Sequence, residues 1–190
     1  MPSRMTTRLL RTSVAAALTG AAIAVSTCAP GPSWAGATAP AADRVGPAVT
    51  NYTRISDDVA ASGRLGDGAV GELKSAGFAA IVDLRSPDEG TDAEKQAATA
   101  AGLRYFNIPI AKGTLVPSGA QVAELARLFD DRGNFPVLVH CASGARAGAM
   151  WALYRVESGA PAATALEEAR RIGVKGEREA ALAKGLGLAP

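Results

Sequence analysis

Three short apolar runs set the frame for this chain: AAIVDL at 79–84, YFNIPI at 105–110 and PVLVH at 136–140, separated by helical patterns of about a dozen residues. Parallel strands cannot be joined by a tight turn and need a crossover of about that length. The alternation therefore predicts an α/β fold with a central, mostly parallel sheet and helices on both faces. GDGAVGELKSAGF reads as a helix opened by Asp67 and closed at Gly77. TDAEKQAATAAG carries a capping box from Thr91 to Glu94, and SGAQVAELARLFDD another from Ser118 to Gln121. IS and VAAS, near residues 55–62, read as a short strand pair. From Arg146 onward only helical patterns occur, so the C-terminal part is expected to be helical.

The first 35 residues have a different character. Arg4, Arg8 and Arg11 come with no acid, then the apolar stretch SVAAALTGAAIAV, then the small-residue segments SWA and AGA. A charged start, a short apolar middle and a small-residue cleavage site make up a secretory signal peptide. The apolar middle is shorter than the roughly 20 residues a membrane-spanning helix needs. Cys28 sits in VSTC, a faint lipoprotein box spoiled by the bulky Thr27. The expected organisation is a signal peptide at 1–35, a flexible Ala/Pro/Gly-rich lead-in at 36–51 and one domain at 52–190, exported to the periplasm or the medium.

Cleavage changes two inferences. The whole chain has 20 basic and 18 acidic residues and a charge of +2; without the three signal arginines it has 17 against 18 and a charge of about −1. No basic patch is left to suggest nucleic acid or an anionic membrane as a partner. Of the two cysteines, only Cys141 stays. A lone thiol in an oxidising compartment is a liability unless it is buried or used.

Cys141 lies in VLVHCASGARAG, residues 137–148, beside His140, the only histidine. The expected fold puts this stretch at the carboxyl end of a central strand and the start of a helix, where open parallel sheets place their chemistry. Gly144 permits a tight turn, and Ala142, Ser143 and Ala145 are small enough to let their amides converge on one spot. Such a nest binds an anion and equally favours a thiolate. Arg146 adds a planar fork for two oxygens of a phosphate or sulfate. No cofactor is expected, and one histidine with one cysteine is a poor start for a zinc site.

His-Cys, a small glycine-containing loop and Arg resemble the signature of the cysteine-dependent protein phosphatases. ISDDVAASGRL, AAIVDLRSPDEG, AAGLRYFNIPI and VLVHCASGARAGAMWALYR together resemble the bacterial branch called beta-lactamase hydrolase-like protein phosphatase-like, a relative of the dual-specificity phosphatases, over about residues 53–158. The resemblance implies a cysteine-phosphatase-like domain that hydrolyses phosphate monoesters on a protein or small molecule through a phosphocysteine on Cys141. Arg146 and the loop amides would hold the phosphoryl group, and His140 would orient the loop.

Three departures stand out. Four residues separate Cys141 from Arg146, where most of the superfamily has five, although the bacterial branch tends to share the short loop. The hydroxyl residue that normally follows the arginine is Ala147. Lys112 occupies the region where dual-specificity enzymes usually place an aspartate general acid. Asp88, Glu89 and Asp92 are the candidate acids. CASGAR and DLRSPDEG also resemble rhodanese-type sulfurtransferases, which would use a Cys141 persulfide, but a GHIPGA-like segment is absent. A non-catalytic phosphate-binding module is the third reading.

Overall fold

The computed structural model describes Asp43 and residues 45–188. The expected signal peptide lies outside the described residues. Five strands form one sheet in the order β1-β2-β5-β3-β4, with β1 (Thr53–Arg54), β2 (Val59–Ser62), β3 (Ala80–Asp83), β4 (Arg104–Asn107) and β5 (Val137–His140). Only the β1–β2 pair is antiparallel. The α/β expectation, with its mostly parallel sheet and helical C-terminal part, is met.

The central strands have apolar residues on both faces, as strands covered by helices on two sides must. Val137 and Val139 of β5 join one core cluster with Ala80 and Val82 of β3, while Leu138 and Ile81 point to the other. Helices α1 (Ala69–Ser75) and α2 (Thr91–Ala100) cover the second face through Ala69, Leu73 and Ala98. The first face is covered by α3 (Gly119–Asp130) and α4 (Ala145–Glu157). Val122, Leu125 and Phe129 make the apolar stripe of α3, and the Ser118–Gln121 capping box forms as expected. Such a cap contributes about 1 kcal/mol.

Helix α4 is buried nearly all round, because the sheet lies on one side and α5 (Ala162–Ile172) and α6 (Glu177–Gly185) on the other. Its small residues make this possible: a Cβ on Gly148 would come within 2.8 Å of Val174 Cγ2 and 2.9 Å of the Ala169 carbonyl. The helix that begins at the loop is thereby held by packing along its length. Among the described residues no helix is long and apolar enough to cross a membrane.

Two local expectations fail. Neither Asp67 nor Thr91 caps its helix; glycines 68 and 90, both left-handed, occupy those positions without a side-chain cap. Glu94, the other half of the expected box, is drawn elsewhere. The lead-in is also shorter than expected. Val49 is buried and bridges Leu65, and Val45 and Ala48 pack on the same cluster, so residues 45–51 belong to the fold.

Candidate active site

Ser62, His140 and Asp83 stand side by side where β2, β5 and β3 end, a consequence of the parallel register. The chain leaves β5 with the Cys141 amide donating to the Ser62 carbonyl at 3.3 Å, then turns through residues 142–145 into α4. Gly144 makes the turn at φ 94°, and a Cβ there would sit 2.6 Å from the Ile172 carbonyl oxygen. Both the left-handed backbone and the close approach require glycine.

The loop's outer carbonyls are tied away from its centre. The Arg64 amide donates to the Ala142 carbonyl at 3.2 Å, and Asn51 Nδ2 to that of Ser143 at 3.3 Å. The Gly144 amide donates to Cys141 Sγ at 3.2 Å. The amides of Ala142, Ser143 and Arg146 have no partner among the described residues. One amide thus lies on the sulfur, and three uncommitted ones lie around the turn. Cys141 has no exposed surface. Its neighbours must therefore part before a substrate can enter.

Arg146 is aimed by Glu89. Glu89 Oε2 accepts from Nη1 at 2.6 Å and Oε1 from Nη2 at 2.7 Å, while the Ile110 carbonyl takes a second Nη1 hydrogen at 2.8 Å. That uses three of the five guanidinium hydrogens. The Nε hydrogen and one Nη2 hydrogen have no oxygen partner among the described residues, and the guanidinium also reaches the Cys141 sulfur; this edge is a fork suited to two oxygens of a tetrahedral anion. Glu89 itself is fixed by the 3₁₀ turn at Pro87–Glu89, where the Ser86 amide and hydroxyl both donate to Oε2 at 3.0 Å.

This placement takes Glu89 out of the acid candidates. Its hydrogen bonds from Arg146 outweigh burial and hold the carboxyl down at about 2. A carboxyl ionised throughout the neutral range has no proton to give. Asp88 and Asp92 are exposed, the first on the same turn and the second in the first turn of α2. Lys112 is exposed on the loop after β4.

Beneath the loop lies a buried polar cluster absent from the sequence reading. His140 Nε2 is 2.7 Å from Glu94 Oε1 and 3.6 Å from Asp83 Oδ1. Neither contact has the alignment of a hydrogen bond. Arg85 Nη2 reaches Asp83 Oδ2 and Glu94 Oε2, each at 2.7 Å, and the Tyr105 hydroxyl donates to Asp83 Oδ2 at 2.7 Å. Burial works to raise the Asp83 carboxyl, but its bonds from Arg85 and the charge of His140 hold it below its ordinary value. Burial and the bond to Asp83 push the Tyr105 hydroxyl up.

This cluster explains the missing cap: Glu94 serves Arg85 and His140, which are buried and need it more than an exposed helix end does. One signal for it was in the sequence, the Asp-x-Arg at 83–85 closing a strand expected to lie beside His140. Asp83, Glu94 and His140 offer ligand atoms within 4.8 Å of one another. The Arg85 guanidinium already bridges the two carboxylates through Asp83 Oδ2 and Glu94 Oε2.

Comparison with known proteins agrees with this geometry. Residues 58–184 match the family described as DSP-PTPase phosphatase fused to NAD+ kinase. A beta-lactamase hydrolase-like protein of Xylella fastidiosa (strain Temecula1 / ATCC 700964) is 33% identical over 110 residues, covering 55% of this chain and 25% of the relative. The chain thus spans about a quarter of the length of the curated relatives it matches. Among solved structures, Tk-PTP in the active form has a TM-score of 0.61 at 26% identity, over 72% of this chain and 95% of that one. The catalytic core of the PP-IP phosphatase SIW14 from S. cerevisiae has a TM-score of 0.58 at 16% identity, over 73% and 87%, a likeness of fold alone.

Proposed function

Because the chain belongs to the family of DSP-PTPase phosphatases described as fused to NAD+ kinase, we propose that it hydrolyses phosphate monoesters through a phosphocysteine on Cys141. The observation that carries this reading is the arrangement around one point: Sγ under the Gly144 amide, and the open edge of Arg146 held in place by Glu89. The substrate class is a phosphorylated protein or small molecule, handled in the manner of the tyrosine and dual-specificity enzymes.

In the first step Sγ attacks phosphorus in line with the ester oxygen; the P–S bond forms as the P–O bond breaks, and the leaving oxygen takes a proton. Arg146 and the amides of Ala142, Ser143 and Arg146 stabilise the charge on the three equatorial oxygens, which is the main work of phosphoryl-transfer catalysis. In the second step water attacks phosphorus, phosphate leaves and the thiolate returns. His140, buried beside Glu94 and Asp83, is a positioning residue that holds the start of the loop in register.

The test is a paired assay on the purified domain: hydrolysis of p-nitrophenyl phosphate beside sulfur transfer from thiosulfate to cyanide, each with Cys141→Ser. The expected result is phosphate release that the substitution abolishes. Sulfur transfer without phosphate release would establish the rhodanese-type reading, and phosphate binding with neither activity the binding module.

We further propose that the protein is exported, with cleavage after Ala35 or Ala37, on the strength of the charged start and apolar middle at residues 1–25. Intact-mass measurement of protein from the cell envelope and medium is expected to find a chain without Cys28. A full-length species, or a diacylglyceryl adduct on Cys28, would sink the proposal.

A further inference from the structure

Five arginines among the described residues are buried or half-buried: Arg54, Arg85, Arg146, Arg155 and Arg178. Four have a carboxylate at ion-pair distance: Arg54 has Asp43 and Asp57, Arg85 has Asp83 and Glu94, Arg146 has Glu89, and Arg155 has Glu168. Arg178, in the first turn of α6, has none among the described residues. Of its two neighbours in the chain, Glu179 pairs with Arg170 and Glu177 is exposed. A partly desolvated charge without a counter-charge is costly, and an anion from outside relieves that cost.

Its position connects it to the active site. Nη1 donates to the carbonyls of Thr114 and Leu115, at 2.5 and 2.6 Å. They belong to the loop after β4, the same loop whose Ile110 carbonyl anchors Arg146. Two carbonyls take both Nη1 hydrogens, so Nε and Nη2 are left as an open edge, the same arrangement that Glu89 and Ile110 impose on Arg146. Burial works to lower the basicity of Arg178, Cys141 to raise it and Arg146 to lower it again, so its charge is felt at the nucleophile and the phosphoryl-binding arginine alike.

We propose that Arg178 is a specificity-determining residue that binds a second phosphate on the substrate, beside the one transferred to Cys141. The preferred substrates are then phosphate esters carrying two neighbouring phosphates rather than an isolated one. The inference rests on the phosphatase reading for the site itself, but not on turnover for its test.

The experiment uses ortho-phenylene bisphosphate, its para isomer and phenyl phosphate as probes. Wild type, R178Q and R178K are compared on all three, and the quantity read is the ratio of kcat/KM between variant and wild type on each probe, which cancels the intrinsic reactivity of the ester. R178Q is expected to lose about tenfold or more on the ortho bisphosphate beyond its loss on phenyl phosphate, the size of one charge-assisted pair, with R178K recovering part of the difference. Equal losses on all three probes would make Arg178 a latch between α6 and the loop and overturn the proposal, as would no loss on any. If wild type hydrolyses none of them, the phosphatase reading fails separately, and Arg178 is then judged by calorimetric binding of the same probes to wild type and R178Q. The same selective loss of the ortho bisphosphate is expected there, and its absence would overturn the assignment. Thermal melts of each variant identify a loss of folding, in which case R178K carries the comparison.

Discussion

Arg146→Ala is expected to lower kcat/KM for an aryl phosphate by about 10³-fold, because it removes the side-chain fork proposed to hold the transferred oxygens. It also strips Glu89 of its partner. Glu89→Gln provides the informative contrast. If Glu89 only aims Arg146, the substitution misplaces the fork and costs about 10²-fold, equally for aryl and alkyl phosphates. If Glu89 were the general acid, the loss would fall on alkyl phosphates, whose leaving groups need the proton. The pH dependence separates the two in another way. The folded-state carboxyl is held at about 2, below its ordinary 4.5, so the pair contributes stability fully above the ordinary value and loses it as pH falls through about 2. No acid limb in kcat/KM above about pH 4 should therefore disappear in Glu89→Gln; a limb near pH 6 that vanishes in the variant would contradict the assignment.

The second large effect concerns what the loop lacks. Ala147 is buried in the same apolar cluster as Cys141 and, being alanine, supplies no hydroxyl to hydrogen-bond the thiolate when it departs from phosphorus. The phosphocysteine is expected to accumulate, giving a burst of phenol and then slow turnover in stopped-flow assays. Ala147→Ser should speed the slow phase and leave the burst unchanged. The first step tests the remaining acids. A positioned acid is worth about 10²–10⁴-fold, so whichever of Asp88→Asn and Asp92→Asn removes it should lose that much on alkyl phosphates alone. If neither does, the enzyme protonates its leaving group from solvent and alkyl phosphates should react hardly at all in wild type. A linear progress curve unaffected by Ala147→Ser would mean that thiolate departure does not limit turnover.

The fold was legible because period and length carry it. The three apolar runs, the Ser118–Gln121 box and the helical tail became β3, β4, β5, α3 and α4–α6 with boundaries close to those read from the residues. The turn from His140 to Arg146 was equally legible as a local motif, since His140, Cys141, Gly144 and Arg146 are neighbours in the chain. The supporting groups were not. Glu89 looked like one acid among three on an exposed loop, and Glu94 like a helix cap; only the register of β3 against β5 sets Asp83 beside His140 and brings Glu94 over them. Arg178 lies some thirty residues beyond the loop in a helix of ordinary composition, and its pattern gives no hint of the carbonyls at 114 and 115. Local propensity also misled at residues 67 and 91, where left-handed glycines replaced side-chain caps.

The phosphocysteine is tested most directly by mass spectrometry of the Cys141 peptide after rapid acid quench during turnover of an aryl phosphate. An adduct of one phosphoryl group on Cys141 is expected within the burst, accumulating in wild type and scarcer in Ala147→Ser. Phosphate release with an unmodified Cys141 at every time point, or an adduct of one sulfur atom after exposure to thiosulfate without any phosphoryl adduct, would contradict it.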